Sequence, residues 1–293
     1  MHSKARLFLI ILTVFVPLAG IAKVSLITNR SGQEWTFAAK NEYACPVQVL
    51  LRYTNQNGNE EIIHHVIPAY SEQIVLVLSN KNLPTFRFAY ELGDPFLEPE
   101  DVEYWLPLAP GQVVRVTQGY KTRFSHKGKN AYSIDFALAI GTPVYAARDG
   151  VVVLVKDSSR WGGNRKAYRG LANYIVIYHN DGTFAHYVHL KYKGSVVKPG
   201  DRVSAGQLIG YSGNTGWTKG PHLHFMVTRT GYMDRFSIPT KFYSATGPLT
   251  NLMAKHFYAV EHPSVNIAVL PQTNTNSLAL DAMGEDEGDV GAP

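Results

Sequence analysis

The sequence predicts an all-β protein in two units: a small β-sandwich-like domain over residues 23–117, then an antiparallel β domain over residues 118–247. Three observations carry this prediction. In the first unit, β-branched and apolar runs such as Val47-Gln-Val-Leu-Leu-Arg-Tyr53 and Ile74-Val-Leu-Val-Leu78 lie between turn clusters at Asn55-Gln-Asn-Gly58 and Ser79-Asn-Lys81. In the second, Asn180-Asp-Gly182 separates two apolar runs, a strong hairpin signature. No stretch of the second unit keeps a 3.6-residue apolar period, so little helix is expected there.

Composition narrows the function classes. The 293 residues are 45% hydrophobic, 12% aromatic and 17% charged, which excludes a mostly disordered chain. With one long apolar run, the chain is not a polytopic membrane protein. A single cysteine excludes a disulfide framework and a Cys-rich zinc module. Eleven histidines and a formal net charge of +5 remain to be explained.

The elements follow in chain order. Lys4 and Arg6 precede the aliphatic stretch 7–16, and Pro17-Leu-Ala-Gly-Ile-Ala22 follows. That is the pattern of a secretory signal peptide over residues 1–22, cleaved after Ala22; the short apolar core disfavours an uncleaved anchor. No cysteine follows the apolar core, so no lipid anchor is expected. Cys45 reads as a small buried apolar residue. His64 and His65 read as an ordinary half-exposed strand pair with no metal-like partner. Strand-like pieces then continue through Val196-Val-Lys-Pro-Gly200 and Gln207-Leu-Ile-Gly210 to His222-Leu-His-Phe-Met-Val227. Residues 241–247 read as a last strand and turn. The C-terminal extension, 248–293, reads as a short helix over 249–260 followed by a disordered acidic tail over 272–293.

Six histidines fall between positions 126 and 224. In His222-Leu-His224 the two imidazoles share one face of a strand, roughly 7 Å apart along it, while Leu223 and Phe225 face a core. Strict alternation puts His189 with Ala185 and Tyr187, and His186 with Phe184 and Val188, so at most one of the two looks into a given cleft. His179 abuts the Asn-Asp-Gly turn and is expected to be exposed. Asp135, between Ile134 and Phe136, is a carboxylate on the inner face of a strand, where a metal is one partner that would offset its burial. A hydrolytic zinc site needs three such N or O ligands and an open position for water.

Tyr187-Val-His-Leu190, Val197-Lys-Pro-Gly-Asp201, Gln207-Leu-Ile-Gly210 and Gly213-Asn-Thr-Gly-Trp-Thr-Lys-Gly-Pro-His-Leu-His-Phe225 occur in this order after Gly141-Thr-Pro-Val-Tyr-Ala-Ala147. Together they resemble the lysostaphin-type, or LytM-type, zinc metallopeptidases that act as peptidoglycan endopeptidases. The resemblance covers about residues 118–239. It implies the duplicated hybrid motif fold, a small antiparallel sheet with a narrow groove over one Zn2+ per chain.

By position, the resemblance assigns Asp135 and His224 as metal ligands, and His189 and His222 as the catalytic pair beside the zinc-bound water. It puts Asn173 near the groove wall, as a substrate-binding residue. The family commonly has a histidine four residues before the aspartate, where this chain has Ala131; His126 is the substitute expected to be delivered by a loop. No His-Glu-x-x-His glutamate is present, so a histidine must serve as acid and base. Arg160-Trp-Gly-Gly163 and Gly213-Asn-Thr-Gly216 could border the groove or be plain turns.

The expected protein is an exported, periplasmic or secreted, zinc metalloendopeptidase that cuts peptide stems or cross-bridges of peptidoglycan, with no nucleic acid partner. The alternative is a catalytically inactive relative that binds the wall and activates another hydrolase. A carrier module of the lipoyl type is disfavoured by the export signal.

Overall fold

Alternating burial sets the first unit. In β1 (Val24–Ser31), Val24, Leu26 and Thr28 turn inward while their neighbours stay partly exposed. With β2 (Glu34–Asn41) and β5 (Glu72–Ser79) it forms a three-stranded antiparallel sheet; β3 (Val47–Thr54), flanked by β4 (Glu60–Ile67) and β6 (Phe86–Leu92), forms a second. Phe37, Val47, Val49, Leu51 and Ile67 fill the space between them, and Cys45 is buried in the same core. This is the expected small sandwich, with His64 half-buried and His65 exposed on β4. The computed structural model describes residues 24–122 and 125–263. The signal peptide and acidic tail expected from the sequence lie outside the described residues. Among the described residues, no helix is long and apolar enough to cross a membrane.

A connecting stretch with β7 (Glu103–Tyr104) leads to β8 (Val113–Gln118), β9 (Ile134–Ala137), β10 (Pro143–Tyr145), β11 (Gly150–Lys156) and β12 (Gly162–Gly163). Then come β13 (Tyr174–Tyr178), β14 (Phe184–Val188), β15 (Leu190–Ser195), β16 (Arg202–Val203), β17 (Leu208–Ser212) and β18 (Gly216–Trp217). The last strands are β19 (His222–Gly231), β20 (Asp234–Ile238), β21 (Lys241–Phe242) and β22 (Phe257–Ala259). Nine of these form one sheet, in the order β16-β11-β13-β14-β19-β9-β8-β22, with β20 added alongside β19. The only helical turns among the described residues are short 3-10 segments at Gly128–Asn130 and Lys166–Leu171.

One face of the nine-stranded sheet packs on the small sheet β10-β17-β15 through Phe136, Val144, Tyr187, Ile209, Leu223 and Phe225. The other face is divided. Val153, Val176 and Phe184 join the core of the sandwich, and the rest carries polar side chains. The Gln48 side chain fixes this docking: its amide donates to the Gly231 carbonyl and accepts from the Met233 N–H, both at 2.8 Å. The site-bearing sheet draws β8 from before residue 118 and β22 from after residue 247, beyond the 118–247 span on both sides.

Two expectations are corrected. Residues 249–260 form no helix: Leu249 bridges Phe242, and β22 pairs with Val113–Arg115 of β8, so pairing with an open sheet edge overrides local helix preference. His179 is fully buried rather than exposed, because its Nδ1–H donates to the Asp149 carbonyl at 2.7 Å and its ring packs edge-on against Tyr104. Burial, and then the Arg148 guanidinium, outweigh the pull of Asp149 and Asp181 and lower its pKa to about 4. The folded-state value lies below that of the unfolded chain. Between about pH 6.5 and pH 4 the unfolded state therefore takes up the extra proton, and stability falls as pH falls. We expect His179 to account for at most about 3 kcal/mol of acid destabilisation across that window. In urea unfolding at stepped pH, His179→Asn, which keeps a donor but does not titrate there, should flatten that part of the profile.

Candidate metal centre

The register of two strands builds the centre. His224 of β19 lies directly opposite Asp135 of β9, and His222 lies opposite Ala137. Cross-strand partners project to the same face, so the carboxylate and both imidazoles share it. Leu223 and Phe225, paired with Phe136 and Ile134, face the core, as the alternation predicts. His224 Nδ1 donates to Asp135 Oδ1 at 2.9 Å, and His222 Nε2 stands 3.8 Å from the same oxygen.

His126 arrives from the loop after β8. Gln118 donates to Ser125 Oγ at 2.6 Å, which ties the loop to the strand end. His126 is fully buried, with Nδ1 2.7 Å from the Gly119 carbonyl and Nε2 3.1 Å from Asp135 Oδ1. Ala131, beyond the short 3-10 turn, brings no side-chain donor. The ligand atoms of His126, Asp135 and His224 all lie within 4.8 Å of one another and could hold a metal ion. The donor chemistry fits one. A carbonyl can only accept, so the proton of a neutral His126 sits on Nδ1, and Nε2 turns a lone pair toward the lone pairs of Asp135. Two acceptors at 3.1 Å call for a cation or a further proton between them.

His189 joins the same face against the expected alternation. Its φ of +67° puts it in the left-handed region at the break between β14 and β15, and this turns the ring away from the side of Ala185 and Tyr187. The rule that only one of His186 and His189 can face a given side therefore fails here. His189 lies tilted 4.5 Å from His222 and edge-on 6.0 Å from His224, ring centroid to centroid. His186, opposite Met226 on the same face, is spent on Thr228 Oγ1 at 2.9 Å and lies outside the cluster.

Both remaining histidines are held in one tautomer. His189 Nδ1–H donates to the Thr215 carbonyl at 2.6 Å, and His222 Nδ1–H to the Gly220 carbonyl at 2.8 Å, beside Thr218 Oγ1 at 3.2 Å. Each Nε2 is left as a lone-pair acceptor. Burial, then the His222 and His224 rings, lower the His189 pKa to about 3, so it is a neutral base near pH 7. For Asp135 burial alone would raise the pKa. Contact with the His126 and His224 rings outweighs it and holds the carboxyl well below its usual range.

Asn173 is buried, and its side chain is spent on backbone. Oδ1 accepts from Ser159 N–H at 2.9 Å, and Nδ2 donates to the carbonyls of Ser159 at 2.9 Å and Lys191 at 3.2 Å. Its own N–H donates to Thr215 Oγ1 at 2.9 Å. It thus braces the segments around His189. The two glycine loops are not independent turns: β12 and β18 pair in parallel, Gly162 with Gly216 and Gly163 with Trp217. A Cβ on Gly162 would lie 1.8 Å from the Asn214 carbonyl oxygen, so only glycine permits this approach. The braces formed by Asn173, Thr215 and Thr218 carry no spacing signal in the sequence.

Residues 129–234 match peptidase family M23, and His126 lies just outside the matched segment. Peptidoglycan DD-endopeptidase ShyA of Vibrio cholerae is 47% identical over 97 residues, which are 33% of this chain and 20% of ShyA. Lysostaphin of Staphylococcus simulans is 45% identical over 96 residues, 32% of this chain and 17% of lysostaphin. The chain thus spans about a fifth of the length of these curated relatives. The lysostaphin catalytic domain, crystallised without phosphate, aligns at 33% identity over 41% of this chain and 82% of that domain, with a TM-score of 0.30.

Replacing Asn173 with Ala strands the Ser159 N–H and carbonyl and loses the contact to the part-buried Lys191 carbonyl. We expect Asn173→Ala to lower the unfolding free energy by about 2–4 kcal/mol, read from urea melts.

Proposed function

Given that this chain belongs, through residues 129–234, to peptidase family M23, we propose that it is an exported zinc metalloendopeptidase hydrolysing peptide bonds in peptidoglycan stems or cross-bridges. The observation that carries this reading is the convergence of His126, Asp135 and His224 beside His189 and His222 on one sheet face. The endopeptidase relatives support the substrate class, and residues 1–22 support export to the periplasm or beyond.

His126, Asp135 and His224 would hold the ion. Zinc bound there would lower the pKa of water from 15.7 to about 7 and polarise the scissile carbonyl. Asp135, ionised at neutral pH, supplies the negative charge that offsets the cation. The Nε2 atoms of His189 and His222, left open by the Nδ1–H contacts to the Thr215 and Gly220 carbonyls, face the place where the carbonyl reacts. One accepts the proton of the attacking water and passes it to the leaving amine, a transfer that contributes about 10²–10⁴-fold. The other, having taken a proton from solvent at Nε2, donates a hydrogen bond to the developing oxyanion. The carbonyls of Thr215 and Gly220 keep both rings aimed while this happens. Asn173 acts at one remove, by bracing the loops that border the groove.

Ala131 favours a second reading, an inactive regulator that binds the wall and activates another hydrolase. His126, already 3.1 Å from Asp135, supports the first. We expect the mature chain to purify with about one zinc ion and to digest purified peptidoglycan, and His126→Ala to lose both. Retention of zinc and activity by that variant would refute the ligand assignment. A zinc-loaded wild type that cleaves nothing would favour the regulator.

A further inference from the structure

The segments that border the centre carry a one-sign surface. Residues 156–169 hold Lys156, Arg160, Arg165, Lys166 and Arg169 against one acid, Asp157, and Lys191 and Lys193 follow His189 closely. Elsewhere among the described residues, Lys40, Arg52, Lys129, Arg148, Lys198, Arg229, Arg235 and Lys241 each pair with a carboxylate. Arg30, Arg87, Arg115, Lys127, Arg202 and Lys255 do not but lie scattered along the chain; what sets this segment apart is the clustering of its cations. Arg160, Arg165, Lys166, Arg169, Lys191 and Lys193 are exposed and, among the described residues, form no such ion pair.

Four of these cations lie over aromatic rings instead. Arg160 sits 4.1 Å and Lys193 5.6 Å from the Tyr192 ring, Arg169 4.8 Å from Trp217, and Lys191 5.3 Å from Tyr211. Stacking of this kind leaves the N–H groups at the edge of a guanidinium open to an anion. Beside them Trp161 exposes 65% of its surface, a flat apolar face of the sort that sugar rings cover. The β12–β18 pairing holds the loop against the segment that contains Thr215 and Thr218, which aim His189 and His222. The surface is therefore continuous with the reaction centre, yet it contributes no ligand to it.

Resting on the wall-hydrolase reading, we propose that this basic aromatic face is a second binding surface for the peptide-bearing glycan strand. Stem carboxylates pair with Arg160, Arg165, Lys166 and Arg169, and sugar rings pack on Trp161. Charge complementarity selects this occupant: a neutral peptide bridge offers nothing to a row of unpaired cations, whereas a glycan with carboxylate-bearing stems repeats its negative charge along its length.

The test uses the full chain and two probes: insoluble sacculi stripped of phosphate-bearing polymers, and a short cross-linked stem peptide without glycan whose free carboxyl groups are amidated. Binding to sacculi is measured by co-sedimentation in a His222→Ala background, so that it does not depend on cleavage. Arg165→Glu with Lys166→Glu should weaken binding about tenfold at low salt and flatten its salt dependence. Trp161→Ala should weaken it at all salt concentrations. With His222 restored, the charge reversal should change the cleavage rate of the glycan-free peptide less than about twofold. Unchanged sacculus binding would overturn the proposal, as would an equal loss on the glycan-free peptide, or binding that vanishes once phosphate polymers are removed. A wild type that binds sacculi through this face but cuts neither probe would instead refute the endopeptidase reading.

Discussion

One buried carboxylate organises the second half of this protein. Asp135 sits on a sheet face with imidazoles on three sides, and removing such a charge from water costs several kcal/mol unless it is compensated. Compensation comes from rings that must themselves be held. His224 is held by strand register, His126 by a loop tied to the Gly119 carbonyl, and His222 by the Thr218–Gly220 turn. Each anchor is backbone or a short side chain, so the donors are preorganised before any ligand arrives.

The surrounding architecture serves that arrangement. The nine-stranded sheet commits one face to hydrophobic packing and shares the other between the sandwich and the polar cluster. Docking of the sandwich on Val153, Val176 and Phe184 closes the apolar part of that face, beside the polar cluster. The first unit, whose sequence reveals no chemistry, thus completes the platform through Gln48, Glu91 and its own core.

What could be read in advance was whatever depends on strand periodicity. Asp135 and His224 are identifiable because Ile134, Phe136, Leu223 and Phe225 fix their opposite faces, and a period of two leaves no freedom. His189 departs from that logic: a single left-handed residue reverses its direction, and nothing in Tyr-Val-His-Leu announces a positive φ. His179 next to a hairpin turn looks like surface, and only the long-range approach of Asp149 and Tyr104 buries it. The same reason hides the helix-like segment 249–260, which a distant strand edge claims. His126 lies between these cases. Its candidacy follows from the gap at Ala131, but its placement depends on a loop path.

The parallel contact between Gly162–Gly163 and Gly216–Trp217 also bears on how such a protein can be altered. The two loops are more than fifty positions apart in the chain, yet they meet with no space for a methyl group. Neither can lengthen or change course without displacing the other, and the second one orients His189 and His222. Diversification of the rim of the centre is therefore a paired affair: a graft that transfers one loop alone would misalign the histidines, whereas exchanging both together preserves their common spine. The rim behaves as a single inherited module encoded in two places.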